Sequence, residues 1–264
     1  MAKATLTKRL EFCSSHRYHN PKWDDAKNRA VFGACNNVNT HGHNYLVEVT
    51  LRGNIDPVTG MIINLYDLKH ILNQVLEQFD HKNLNLDTPY FSERIPTTEN
   101  LAITLWHILE KHPDLPVPDA LRLYEDESLF AEVTADFMDD NHQASTGTSA
   151  LIARHYAFSA VHQSQTGKTQ GHSYDLWIAT KGPIPTDTGQ VMNIQTLAHL
   201  IQTHILARFD QRNLSQDPAF SCIPVTDSTL AKVTWETLKP HFQSPPLYRV
   251  SVSQQTGAVA VYSG

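Results

Sequence analysis

Cysteine is scarce: a chain of 264 residues holds three, Cys13, Cys35 and Cys222. An odd, scattered set does not frame a disulfide scaffold, so each is read as a free thiol. No apolar run is long enough to cross a bilayer. The first residues, Met-Ala-Lys-Ala-Thr, lack the apolar core of a secretory signal, and the expectation is a cytoplasmic protein that meets no membrane. Charged residues make up 18% and the net charge is −6, with no Lys/Arg run, which leaves no footprint for nucleic acid. What the chain has instead is histidine, 15 in all, and a hydrophobic content of 41%, enough for ordinary cores. The length suits one large domain or two small ones.

A faint internal repeat favours two. Gly42-His43-Asn44-Tyr45-Leu46-Val47 matches Gly171-His172-Ser173-Tyr174-Asp175-Leu176 at an offset of 129 residues. The same offset joins Gly60/Asn64 to Gly189/Asn193, Leu101-Ala102 to Leu230-Ala231, and Trp106 to Trp235. Phe79-Asp80-His81-Lys82-Asn83-Leu84 meets Phe209-Asp210-Gln211-Arg212-Asn213-Leu214 at an offset of 130, which implies a one-residue insertion before Phe209. Near the start the offset is 146, from Glu11–His16 to Ala157–His162, so the second copy lacks a loop of 17 residues that carries Trp23, Arg29 and Cys35. The expected domains are residues 1–135 and 150–264, joined by a polar linker over 136–149.

Each copy reads as strand, strand, helix, helix, strand, strand, an α+β unit with four antiparallel strands and two helices on one face. In the first copy, Thr5–Cys13 and Asn44–Leu51 have strand alternation. Residues 64–79 have helical spacing at Leu65, Leu68, Leu72, Val75, Leu76 and Phe79, with Asn64 as N-cap. Thr97 caps a second helix to Lys111 with Glu99 in its first turn, and Ala120–Tyr124 and Leu129–Val133 form a closing hairpin. The second copy places helices near 193–209 and 226–239.

His41-Gly42-His43 opens a strand. Residues i and i+2 of a strand share a face, so both imidazoles can meet one ion, and Gly42 lets another backbone approach. If the first strand pairs with this one, His16 at its end is the third ligand. Three histidines and an open position make the arrangement of a catalytic Zn2+ site, with iron or another divalent ion as the alternative. Cys35 lies in a polar, turn-forming loop just before these ligands, where an ion or a protonated histidine favours its thiolate. Asp80-His81 ends the first helix and reads equally as an oriented proton relay or as a cationic C-cap. Glu125, in a strand otherwise apolar at Leu121 and Leu123, is either an inward carboxylate that accepts from the N–H pair of a heterocycle or an exposed edge residue.

Cys35 followed by His41-Gly42-His43-Asn44-Tyr45, then Gly60–Lys69, Asp80–Leu84 and Thr97-Thr98-Glu99-Asn100, resembles the 6-pyruvoyltetrahydropterin synthase family over residues 5–134. The second copy is similar only in outline. The resemblance implies the tunnelling (T-) fold, in which three domains close a twelve-stranded barrel and two barrels stack. For a two-domain chain it implies a homotrimer with six T-fold domains. It implies zinc on His16, His41 and His43, Cys35 as the proton-abstracting base, and Asp80 and His81 as a relay reached from a neighbouring domain. Glu125 would anchor a pterin, helped by Thr97, Thr98 and Glu99; the family usually has Glu-Thr where this chain has Glu125-Asp126. The implied reaction converts 7,8-dihydroneopterin triphosphate to 6-pyruvoyltetrahydropterin with loss of triphosphate. Bacterial relatives instead make 6-carboxytetrahydropterin for queuosine biosynthesis. Their cysteine usually stands three residues from His-Gly-His, whereas five, Asn36–Thr40, intervene here, which is nearer the pyruvoyl pattern. A non-catalytic pterin-binding protein is the competing reading of another class. A zinc protease finds no His-Glu-x-x-His support.

The second copy has lost the chemistry. His16 and His43 correspond to His162 and His172, but His41 corresponds to Gln170, His81 to Gln211, Glu99 to Ser228 and Glu125 to Gln254 or Gln255, while Cys35 has no counterpart. Its apolar positions Leu197, Ile201, Ile205 and Phe209 persist, so a structural domain is expected.

Overall fold

A computed structural model of the chain describes residues 3–138, 148–164, 166–254 and 257–264. Most of the expected linker, together with Gln255, lies outside these residues. The chain forms two compact units. The first comprises Met1–Ile152 and Pro183–Val191; the second comprises Ala153–Gly182 and Met192–Gly264. A nine-residue segment of the second repeat is thus part of the first unit.

In the first unit, strand β1 (Lys3–His16) pairs antiparallel with β2 (His41–Asn54). β2 pairs with β4 (Pro118–Asp126), and β4 with β5 (Leu129–Thr134). The two-residue β3 (Lys82–Asn83) runs parallel to β1, which gives the order β3-β1-β2-β4-β5. Alternation decides which face is covered: the facing pairs Val47–Leu123 and Val49–Leu121 are all buried.

Helix α1 (Asp25–Phe32) and one 3-10 turn (Gly33–Asn36) fill the β1–β2 connection. α2 (Leu65–Leu76) is capped by Asn64, whose side chain accepts from the Tyr66 N–H, and buries Leu68, Ile71, Leu72, Val75 and Leu76 at helical spacing. α3 (Thr98–Glu110) is capped by Thr97 and packs on β4, β5 and α2. The α+β expectation therefore holds, and the caps fall where the sequence puts them. One local reading does not: α2 ends at Leu76, so Asp80 and His81 lie in the turn beyond it and His81 is not a C-cap. His81 instead takes a left-handed backbone, φ 58°.

The second unit orders its strands β6 (Ser149–Gln163), β7 (Thr169–Pro183), β8 (Leu247–Ser253) and β9 (Ala260–Tyr262). All but the first four residues of β6 and the last of β7 belong to it. A tight loop, with Ser164 N–H on the Lys168 carbonyl, joins β6 to β7 where the first unit has α1. Its first helix, α4 (Ile194–Ile201), continues through a π turn, Gln202–Leu206, into a last short turn, Ala207–Phe209. A π turn holds one residue more than an α turn, and this is where the inserted residue sits. Leu197, Ile201, Ile205 and Phe209 stay fully buried on one face despite it. Helix α5 (Asp227–Leu238) completes the unit.

Candidate active site and metal centre

The β1–β2 register sets His16 directly across from His41 and Ser14 across from His43. A Cβ on Gly42 would come within 3.2 Å of the Ser14 carbonyl oxygen, so the close strand approach that the sequence suggests is present. The three imidazoles converge: ring centroids lie 4.6 Å (His16–His41), 5.1 Å (His16–His43) and 4.9 Å (His41–His43) apart. Glu125 joins them, with Oε1 3.5 Å from His43 Nε2. One ligand atom from each of these four residues lies within 4.8 Å of the others.

The tautomers follow from the surroundings. His16 Nδ1 lies 2.9 Å from the Pro96 carbonyl and 3.0 Å from the Tyr45 hydroxyl. A proton on Nδ1 satisfies the carbonyl and leaves the Nε2 lone pair facing His41 Nε2, 3.2 Å away. Burial, then His41 and His43, push His16 down to about 3, so it is neutral at physiological pH. Burial and His43 also lower His41. His43 Nε2 and His41 Nδ1 are buried without hydrogen-bond partners. Imidazole nitrogens that converge on one point, with a carboxylate beside them, fit a divalent ion such as zinc.

Glu125 is aimed by strand alternation, following Leu121 and Leu123 on the buried face of β4. The β4–β5 register shifts between Tyr124 and Asp126, so Glu125 has no partner on β5. Its carboxylate is buried and accepts from the Tyr18 hydroxyl at 2.9 Å and from the Thr98 hydroxyl. The exposed-edge alternative is thereby excluded. Thr97 Oγ1 receives the Asn100 N–H and donates to the Gly189 carbonyl at 2.6 Å. Glu99 is fully enclosed and accepts from the Val191 N–H at 3.0 Å. Burial pushes Glu99 up to about 7, against the hydrogen bonds it accepts.

Cys35, on the 3-10 turn, is half-buried and packs against Tyr18, Phe32 and Ile95. Its carbonyl accepts from the Tyr18 N–H at 2.9 Å. The Tyr18 ring in turn stands 5.0 Å from His16, so the thiol is one side chain removed from the histidines. Asp80 and His81 are not brought to this centre. They form an exposed pair, Asp80 Oδ2 to His81 Nδ1 at 2.9 Å. Asp80 Oδ1 accepts from the Cys13 N–H at 2.8 Å, which holds the carboxyl below its usual range. His81 N–H donates back to the Cys13 carbonyl at 2.6 Å. Tyr18 and Val191 were not singled out from the sequence, and Gly189 only as the repeat partner of Gly60, not as a site residue. Tyr18 had a signal, the i+2 position after His16; the other two had none, because their contacts span about ninety residues.

The second unit repeats the framework without the centre. Ser159 N–H donates to Asp210, Gln211 N–H to the Ser159 carbonyl, and Tyr174 Oη lies 3.3 Å from His162 Nδ1. Among the described residues no group of three metal-ligating side chains forms there.

Fold and site define a duplicated T-fold protein whose first repeat holds a three-histidine, one-carboxylate centre. The chain belongs to the 6-pyruvoyl tetrahydropterin synthase family, whose model matches residues 5–136 and again 148–264. It is 46% identical over 121 residues to the 6-pyruvoyl tetrahydrobiopterin synthase of Poecilia reticulata, which covers 46% of this chain and 82% of that one. It is 44% identical over 124 residues to the Homo sapiens protein of the same name, over 47% of this chain and 86% of that one. The solved 6-pyruvoyl tetrahydropterin synthase of Caenorhabditis elegans is similar at 36% identity and a TM-score of 0.48, over 51% of this chain and 97% of that one.

Proposed function

We propose that the chain is a zinc-dependent lyase that converts 7,8-dihydroneopterin triphosphate to 6-pyruvoyltetrahydropterin with loss of triphosphate. The observation that carries this is the meeting of His16, His41 and His43 with the buried, doubly hydrogen-bonded Glu125. The three histidines are the ligands of the ion. When bound, zinc polarises side-chain oxygens of the substrate and acidifies the adjacent C–H.

The protein's own groups do the rest. Glu125 and Glu99, with Thr97 and Thr98, hold the ring's N–H groups and fix its plane. Tyr18 keeps the Glu125 carboxylate oriented while its own ring separates Cys35 from His16. The Cys35 thiolate takes the proton from the side-chain carbon, and the Asp80–His81 pair returns protons as triphosphate leaves. Because that pair is exposed and apart from the histidines, it acts on the site of another copy. The assembly that fits is a homotrimer of two-domain chains, six T-fold domains in all, and its mass by light scattering tests it. The second domain serves as structure, with no chemistry of its own. Three free thiols suit a cytoplasmic location.

Anaerobic incubation with dihydroneopterin triphosphate, with products read by mass spectrometry, tests the reading. A pyruvoyl product from wild type, absent from Cys35→Ala, supports both reaction and base. A carboxy product moves the enzyme to the queuosine branch. Ring binding without turnover leaves a pterin-binding protein.

A further inference from the structure

Within the second unit an open cavity of about 470 Å³ lies where the repeat places the counterparts of the histidine centre. That volume falls in the range of small-molecule sites, roughly 300–1,000 Å³. One wall is His162 on β6 and His172 on β7; the other is the first turn of α5 together with Gln254, which follows β8. The two histidine rings lie nearly parallel, 22° apart with centroids at 5.2 Å, whereas His16 and His43 stand at 77°. The Tyr174 hydroxyl, 3.3 Å from His162 Nδ1, fixes the first ring. Burial, then His172, lower His162, so it is uncharged at neutral pH.

The wall opposite shows an exchange of groups and not a simple loss. At the offset of 129 residues Thr98 becomes Asp227 and Glu125 becomes Gln254. In the first unit the helix residue donates and the strand residue is the carboxylate, Thr98 hydroxyl to Glu125. In the second unit the carboxylate stands on the helix and an amide takes its former place. Each cavity thus keeps one carboxylate at this point, on opposite sides.

Asp227 Oδ1 is buried and has no hydrogen-bond partner among the described residues. The first turn of a helix favours a negative charge, but here it supplies this oxygen with no donor. A buried carboxylate oxygen left without a donor destabilises a fold, and its complement is an N–H group from outside. No lysine or arginine lines the cavity, so nothing there offsets a phosphate, and Asp227 repels one. Val225, buried, and Val259, exposed at the rim, add apolar surface.

We propose that this cavity binds a flat, unphosphorylated nitrogen heterocycle, with Asp227 accepting from its N–H groups and the Gln254 amide pairing with an adjacent donor or acceptor. It has no counterpart of Cys35, so it binds without turnover. The choice of a pterin ring as ligand rests on the reading of the first site as a pterin site. On that reading the substrate carries a triphosphate and the product does not, so the second unit is a sensor of product in the presence of substrate.

Calorimetry on the full chain with dihydroneopterin, the ring without phosphate, counts the sites. Wild type should bind two equivalents per chain. Asp227→Asn should weaken one of them by about tenfold or more, the size of a lost hydrogen bond to a charged group. Gln254→Leu, on a separate element, should weaken the same equivalent, and Glu125→Gln only the other. Dihydroneopterin triphosphate, titrated into the Cys35→Ala protein, should fill one site. Melting curves show which variants keep their fold; if Asp227→Asn does not, Gln254→Leu decides. A single equivalent in wild type that neither second-unit variant moves overturns the site, as does a triphosphate ester that fills both sites equally. An equivalent lost in Asp227→Asn, with none sensitive to Glu125→Gln, keeps the second site and removes the pterin reading of the first.

Discussion

The Glu99 carboxylate accepts a hydrogen bond from the backbone N–H of Val191, 92 residues later in the chain. A buried carboxyl raised to about 7 is a cost to the fold at neutral pH. The unfolded chain gives up its proton near the ordinary value of 4.5, the folded chain only near 7. Between those values the folded state binds more protons, so stability falls as pH rises through that window, by up to about 1.4 kcal/mol per unit. Glu99→Gln keeps an acceptor for Val191 and removes the titration. The expected result is a higher Tm at pH 8, a flatter pH dependence and weaker ring binding. Unchanged pH dependence of denaturant unfolding would count against the assignment.

Gly60 and Gly189 occupy the same place in the two repeats, with φ of 70° and 69°. Their surroundings differ. Nothing lies within 4 Å of a Cβ on Gly60, whereas one on Gly189 would stand 2.8 Å from Asn100 Nδ2 and 3.0 Å from Thr97 Cγ2. Gly60→Ala should cost only backbone strain, about 1–2 kcal/mol. Gly189→Ala should cost more and also displace the Thr97 hydroxyl from its carbonyl, raising KM. Thermal melts of both variants give the comparison; equal costs would mean that the 183–191 segment does not bear on Thr97.

Metal content separates the units. One divalent ion per chain is expected by elemental analysis, lost in His16→Ala and His43→Ala and retained in His162→Ala. Two ions per chain, or loss on changing His162, would mean that the second unit binds metal after all. Removal by a chelator should abolish activity, and zinc should restore it.

Much of this centre can be read from the sequence because it depends on short periods. The i, i+2 spacing of His41 and His43 and the end position of His16 fix a shared face once β1 and β2 pair. Asn64 and Thr97 announce their helices by capping chemistry. What stays hidden depends on departures from regular structure or on distant chain. Asp80-His81 looks like a helix end until the left-handed backbone of His81 is seen. The slip of one residue before Phe209 is visible as an offset, but not that a π turn absorbs it. The union of Val191 with Glu99 has no local signature.

The second unit has already made one substitution that isolates catalysis from folding. His81 and Gln211 both sit in the left-handed region, φ 58° and 57°, and both donate their N–H to the carbonyl of the matching β-strand residue, Cys13 or Ser159. Glutamine therefore satisfies this backbone as well as histidine does. His81 is largely exposed, and its ring contacts Asp80 alone of the titratable groups paired with it. His81→Gln should leave Tm within about 2 °C, as expected of a surface change near 0.5 kcal/mol in a chain of this size. It should lower kcat by about 10²–10⁴, the range for a lost proton-transfer group, with little change in KM. The reverse change, Gln211→His, restores an imidazole in a unit that lacks the cysteine and one histidine ligand, and should add no activity. Steady-state kinetics and melting curves on the two variants decide the matter: a stable His81→Gln protein with full kcat would remove the pair from the mechanism and leave Cys35 to act without a relay.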